Sequence, residues 1–125
     1  ITLKDAYQIN FEINFEITPL TGFNNEEVLL ECTNKLKNYF DIDKWQVNRP
    51  IIISEVRNLL SSTKGVQNII DLKFNNLAGE SIGYSPYKYD LFAATKNGII
   101  YPSLDPSIFE IKFPNQNIQG KITTY

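Results

Sequence analysis

The clearest alternation of apolar and polar positions lies near the start of the chain. From Tyr7 to Ile17 the odd-numbered positions are aromatic or β-branched, and the even-numbered positions are Gln, Asn or Glu. A period of two in such residues is typical of a β-strand with one buried face and one wet face. Proline and glycine within residues 18–22 predict the end of this strand, because proline cannot donate to a β ladder.

The next segment has a period of three to four residues. Apolar side chains recur at helical spacing from Val28 to Phe40, and most positions between them are charged or polar. Asn24 or Asn25 can cap the N-terminus, and two glutamates in the first turn complement the helix dipole. The sequence therefore predicts a helix from Asn25 to Phe40.

A second, shorter helix is predicted from Glu55 to about Ser62. Ser54 can cap its N-terminus and Gly65 can terminate it. A connector over residues 41–45 and the restraining Pro50 separate it from the first helix.

A second strand is predicted from Val66 to Phe74. Its alternation places Ile70, Leu72 and Phe74 on one face. Residues 75–88 are rich in Asn, Gly, Ser and Tyr, and this composition predicts a loop.

Further strand signals follow to the end of the chain. Asn97-Gly98 between two apolar runs predicts a hairpin, because a type I′ turn needs positive φ at both central residues. Alternating apolar positions predict a strand from Ser107 to Phe113, and a short final strand is predicted after Gly120.

The order β-α-α-β-β-β-β predicts an α+β fold: an antiparallel sheet of about four to five strands with two helices packed on one face. The length of 125 residues predicts a single domain that spans residues 1–125, and no linker or internal repeat divides the chain. Hydrophobic residues make up 42% and charged residues 21%, which is the composition of a globular protein and not of a disordered chain.

Charge and hydropathy argue against binding to nucleic acid and to membranes. The net charge of -2 provides no basic field, so nucleic acid and anionic membrane surfaces are not expected partners. No apolar run approaches the roughly 18 residues of a membrane span, so membrane insertion is not expected.

The catalytic repertoire is also narrow. Histidine is absent, which removes Ser-His-Asp and Cys-His catalysis and histidine zinc sites. The single cysteine, Cys32, falls on the apolar stripe of the first helix and is predicted to be a buried, inert thiol.

Carboxylate pairs offer little more. Asp41 and Asp43 begin like a calcium loop, but Trp45 stands where an oxygen ligand is needed. Glu12 and Glu16 share a strand face about 13 Å apart, beyond the carboxylate separation of glycosidases. No catalytic, cofactor-binding or metal-binding residue is therefore predicted; we expect a protein that is not an enzyme, and a hydrolase using unpaired carboxylates is the weaker alternative.

The unusual feature is a group of aromatic residues in the second half of the chain, with one tryptophan. The candidate site residues are Tyr84, Tyr87, Tyr89, Tyr101 and Trp45. Such side chains can pack in a core or loop, anchor a protein interface, or stack on sugars; stacking on bases is disfavoured without basic charge.

Two long segments resemble a known family. The first segment comprises residues 22–29 and 36–51 and includes Asn38-Tyr39-Phe40-Asp41-Ile42-Asp43-Lys44-Trp45. The second comprises residues 97–110 and includes Tyr101-Pro102-Ser103-Leu104-Asp105-Pro106-Ser107-Ile108-Phe109. Both resemble the C-terminal region of the baseplate wedge protein of T-even-like contractile-tailed phages. The Lys64-Gly65-Val66-Gln67 turn resembles the wider baseplate J-like family, and the similarity covers about residues 6–120.

The resemblance implies a structural virion subunit without catalytic residues or a cofactor. It implies association with itself, as an expected homodimer, and with other wedge proteins in a ring around the central hub. The implied location is the virion tail baseplate, assembled in the host cytoplasm. Family members are much longer, so we expect a fragment of a longer polypeptide, consistent with the missing start methionine.

The aromatic content and the family-like sequence predict that the loop from Tyr84 to Tyr89 and residues 97–106 help to form a self- or wedge-partner interface. The alternative is a carbohydrate-binding or adhesive module that uses the same tyrosines as stacking platforms.

Overall fold

A computed structural model describes residues 7–124 and has the predicted α+β class, with two substantial helices, a one-turn helix and two sheets. The predicted domain of residues 1–125 extends at both ends beyond the described residues. The elements are β1 Tyr7–Pro19, α1 Asn25–Tyr39, β2 Ile51–Ile52, α2 Ile53–Ser61, β3 Val66–Asn76, β4 Thr95–Lys96, β5 Ile99–Ile100, β6 Ser107–Glu110, α3 Pro114–Asn117 and β7 Ile118–Ile122. A 3₁₀ turn at Glu80–Ile82 lies between β3 and β4.

The main sheet has four strands and is mixed. The strand β1 pairs antiparallel with β3 on one side and parallel with β6 and β7 on the other. The prediction of a purely antiparallel sheet was therefore wrong. The chain returns to the far side of β1 only after the helices and the small sheet, and this long crossover permits a parallel return that a tight hairpin does not.

The predicted strand from Ser107 to Phe113 ends early, at Glu110. Pro114 begins the short helix α3, which the sequence analysis missed, and the Asn117 side chain accepts a hydrogen bond from the Phe113 N–H at 3.0 Å. The final strand then begins at Ile118 and contains Gly120 within it. Strands β6 and β7 thus lie in succession along one side of β1, with α3 interrupting them.

The main core lies on the face of β1 that carries its odd-numbered residues. Ile9, Phe11, Ile13, Phe15 and Ile17 are all buried, as predicted. The helix α1 packs on β7, α2 packs on β3, and the two helices contact each other. The apolar residues of both helices lie in the same core cluster as these side chains. Because the helices cover only this face of β1, its apolar and polar residues alternate regularly.

A glycine is required where α1 crosses β7. A Cβ atom at Gly120 would overlap the Phe15 ring and come within 2.9 Å of Leu29 Cδ2. The absence of a side chain lets the Phe15 ring lie over β7 beneath α1.

The first helix has the predicted N-terminus, and its end lies within one residue of the prediction. The Asn24 side chain caps it by accepting a hydrogen bond from the Glu27 N–H at 3.1 Å. The second helix begins at Ile53, two residues before the predicted start, and Ser54 lies inside it instead of capping it. The Ile53 N–H donates to the Gly98 carbonyl at 2.9 Å, so the small sheet determines where α2 begins.

The strand β3 contains a bulge that changes which residues face the core. Ile69 pairs with Ile17 and Asp71 with Glu16, so Ile70 is the extra residue and is 42% exposed. Ile69, rather than the predicted Ile70, packs against the core with Leu72. The strand also continues two residues past the predicted end.

The small sheet is antiparallel and contains the predicted hairpin. Asn97 and Gly98 have φ of 54° and 77°, the positive values that a type I′ turn requires. The segment before it forms turns and not a strand: the Asp90 side chain accepts from the Ala93 N–H at 3.1 Å, and the Thr95 hydroxyl donates to the Leu91 carbonyl at 2.7 Å.

Candidate functional site

The structure separates the five predicted aromatic residues into three places. Tyr87, Tyr89 and Tyr101 lie together, Tyr84 contacts the short helix α3, and Trp45 lies in the core.

The first group forms a row with a residue that the sequence analysis assigned only to the strand. Tyr7 stacks on Tyr87 with ring centroids 4.8 Å apart and an angle of 27°, and the Tyr87 and Tyr89 rings are 6.3 Å apart. The Tyr89 hydroxyl donates to the Tyr101 carbonyl at 2.7 Å. Tyr101 thus joins the group through its backbone carbonyl. We call these four residues the tyrosine row; Tyr7 and Tyr101 are 50% and 44% exposed.

A buried asparagine holds the loop that carries the row. Asn10 is 0% exposed, although the alternation of β1 predicts it on the wet face. Its side chain accepts from the Ser85 N–H at 2.7 Å and donates to a Glu110 carboxylate oxygen at 2.8 Å. The Asn76 amide donates to the Asn10 carbonyl at 2.9 Å and accepts from the Tyr89 N–H at 3.0 Å. The two asparagines thereby fix the loop backbone on both sides of Tyr87.

The chemistry of Tyr89 agrees with its role as a donor. Burial raises the pKa of its phenol, and the neighbouring Tyr87 raises that pKa further. The hydroxyl therefore stays protonated at neutral pH and keeps its hydrogen bond to the Tyr101 carbonyl.

Tyr84 makes a separate set of contacts. Its hydroxyl accepts a hydrogen bond from the Asn117 amide at 2.9 Å, and its ring meets Phe113 edge-on at 5.5 Å. These contacts attach the middle of the loop to α3, so Tyr84 helps to hold the loop in place.

Trp45 is 5% exposed and packs against the end of α1. Its ring lies 5.1 Å from that of Phe40 and contacts Tyr39, and the Arg49 guanidinium carbon lies 4.0 Å from its ring centroid. An indole buried in this way supplies core packing and a cation–π contact, and its face is not offered to a partner.

The Cys32 thiol is buried, and the Glu12 carboxylate is hydrogen-bonded to two neighbouring amides. Cys32 is buried as predicted, and burial raises the pKa of its thiol although a hydrogen bond with Thr63 opposes the rise. Glu12 accepts hydrogen bonds from the Asn14 and Asn75 amides, each at 3.2 Å. Among residues 7–124, no three His, Cys, Asp or Glu residues are grouped so as to hold a metal ion.

The comparisons with known proteins assign no family. No protein-family model matches the chain, and a search of curated proteins finds no match. Within residues 7–124, every helix is too short or too polar to cross a membrane.

Proposed function

We propose that this chain is a structural domain of a phage tail baseplate wedge, in which it associates with itself and with other wedge proteins. The proposal combines the family resemblance of residues 22–29, 36–51 and 97–110 with an exposed aromatic surface. In this function the chain is part of a longer polypeptide and resides in the virion tail baseplate, after assembly in the host cytoplasm.

The observation that carries the proposal is the tyrosine row. Tyr7 and Tyr101 each expose about half of their surface, while Tyr87 and Tyr89 are half-buried and held by backbone hydrogen bonds around them. Tyrosine is enriched among the residues that dominate interface energies, since its ring buries a large area with only two side-chain torsions. A row that is ordered before binding loses little additional entropy when a partner covers it.

The ring geometry favours a protein partner over a sugar. A sugar platform needs an open aromatic face, but the Tyr87 ring is already stacked on Tyr7. Tyr84 is the other candidate platform, but its ring packs edge-on against Phe113 and its hydroxyl is bonded to Asn117, so it supports the loop. Carbohydrate binding is therefore the second candidate, and it relies on the exposed Tyr101 ring.

The variant Tyr101→Ala tests the row without disturbing the loop. The hydrogen bond from Tyr89 goes to the Tyr101 backbone carbonyl, which alanine retains. We expect unchanged circular dichroism and unfolding, and binding to purified wedge proteins weakened by about 30-fold, the loss typical of an interface hot spot. Leu30→Ala is the matched control, because Leu30 is 59% exposed and lies on α1, an element that contributes no residue to the row.

The outcomes separate the two candidate functions. Equal partner binding by the parent chain and both variants would remove the row from the interface, and absence of any binding to wedge proteins would contradict the proposed function. Saturable binding to a glycan array that is lost in Tyr101→Ala would instead support the carbohydrate module.

A further inference from the structure

The strand β3 forms an open edge of the main sheet. Nine of its 11 residues pair with β1 on one side, and among residues 7–124 no strand pairs with its other side. A long edge of this kind presents backbone donors and acceptors to which another strand can bind.

The outward-pointing backbone groups can be identified from the hydrogen bonds. The Leu77 N–H donates to the Asn10 carbonyl of β1, and backbone groups alternate in direction along a strand. The groups of Leu72 and Phe74 therefore point away from β1. The Leu72 N–H accordingly finds its acceptor in the neighbouring Asp71 side chain, at 3.0 Å.

The charges beside this position are self-complementary. Asp71 and Lys73 lie on the open face of the sheet, where their side chains form an ion pair of 3.5 Å and are 45% and 67% exposed. If two copies of β3 pair antiparallel about Leu72, Asp71 of each copy lies opposite Lys73 of the other. Opposite charges in facing positions stabilise strand pairs, and like charges destabilise them.

The other face of the edge is mostly apolar, although Lys73 also reaches it. A groove of about 530 Å³ runs beside β3 and is lined by Ile53, Leu72, Phe74, Leu91 and Phe92, among others. The Phe92 ring on its rim is 89% exposed. In the same register, Ile70 of each copy, which is 42% exposed, lies opposite Phe74 of the other.

We propose that β3 is the surface through which two copies of this chain pair, antiparallel and centred on Leu72, so that their four-stranded sheets become one. A two-fold pair uses the same patch on both copies, and a charge sequence that is complementary to itself when reversed meets this requirement. The proposal names the self-contact of the proposed function and relies on that function only for its role in a ring.

Charge reversal tests both the surface and the register. Asp71→Lys places two lysines opposite each other at two symmetric positions, and Lys73→Asp does the same with aspartates. We expect each single variant to weaken dimerisation by about tenfold or more, and the double variant Asp71→Lys/Lys73→Asp to restore it. The measurement is the dimer dissociation constant from light scattering or sedimentation of the chain over a wide range of concentration.

The control is Lys121→Asp, which makes the same change on β7, on the other side of β1. It is expected to leave the dimer unchanged. A chain that stays monomeric at every concentration, or a dimer that none of the β3 variants weakens, would overturn the proposal. Two weakened single variants without recovery in the double variant would overturn the register centred on Leu72.

These results are distinguishable from failure of the proposed function. A dimer lost in Tyr101→Ala but kept in the β3 variants would move the self-contact to the tyrosine row and leave the proposed function intact. Recovery in the double variant, combined with no binding to wedge proteins, would keep the β3 pairing and contradict the proposed function.

Discussion

Asn10 and Asn14 occupy equivalent positions in the alternation of β1 but have opposite environments. They lie four residues apart on the same face of the strand. Asn10 is completely buried and bonded to Ser85 and Glu110, whereas Asn14 is half-buried and bonded to Glu12 next to it. The loop after β3 covers the first position and leaves the second open. The period of a strand thus determines which side a residue faces, and a distant segment determines whether that side is wet.

The largest difference between the two positions should appear on truncation. Asn10→Ala leaves the half-buried Ser85 N–H without its acceptor and removes the donor to Glu110, so we expect a loss of about 2 kcal/mol in the free energy of unfolding. Urea denaturation measures this loss. If the variant is as stable as the parent chain, the network around Asn10 does not hold the loop.

A smaller effect is expected within the loop that makes Asn10 buried. Tyr89→Phe removes the hydrogen bond to the Tyr101 carbonyl, and we expect a loss of about 1 kcal/mol at neutral pH, measured by the same denaturation.

This variant also has a signature in pH. The folded chain raises the pKa of Tyr89 above the ordinary 10.0, so its contribution to stability is complete below that pH and is lost as the pH rises through the raised pKa. The stability difference between the parent chain and Tyr89→Phe should therefore shrink in strong alkali. A difference that is constant from neutral to alkaline pH would show that ionisation of Tyr89 is not coupled to folding.

The smallest effect is expected at the open position. Asn14→Ala removes a hydrogen bond to Glu12, whose carboxylate also accepts from Asn75 and is accessible to water. We expect a change within about 0.5 kcal/mol, as for other surface substitutions. A loss as large as that of Asn10→Ala would mean that the open face of the sheet is covered in solution.

Local signals predicted the elements that depend on neighbouring residues. The alternation of β1, the Asn24 cap of α1 and the positive φ of Asn97 all follow from contacts within a few positions of the chain. The direction of β6 and β7, the bulge at Ile70 and the helix at Pro114 do not. The strand directions and the bulge depend on pairing with residues far away in the sequence, where local preference is outweighed. The helix at Pro114 has a local cap in Asn117, and the Asn117 amide also donates to the distant Tyr84 hydroxyl.

The sequence predicted that the candidate site is rich in tyrosine, but it did not predict which aromatic residues belong to the site. The density of tyrosines pointed to Tyr87, Tyr89 and Tyr101, which the structure brings together. Tyr7 was missed because its position fits the alternation of β1, and Trp45 was included although it packs in the core. The same type of aromatic residue occurs in cores and on surfaces, so only its tertiary neighbours show whether it packs in the core or contributes to an exposed site.

By itself, the sequence determined the class of the fold, the two helices, the apolar face of β1 and the lack of histidine chemistry. These properties depend on periodicity, capping and residue type, which are local. The tertiary structure decided the parallel pairing of β1, the burial of Asn10, the composition of the tyrosine row and the open edge of β3. Each of these features requires contact between segments that are up to about a hundred residues apart. The local pattern of one segment does not show where the other segment lies, so only the tertiary structure reveals the contact.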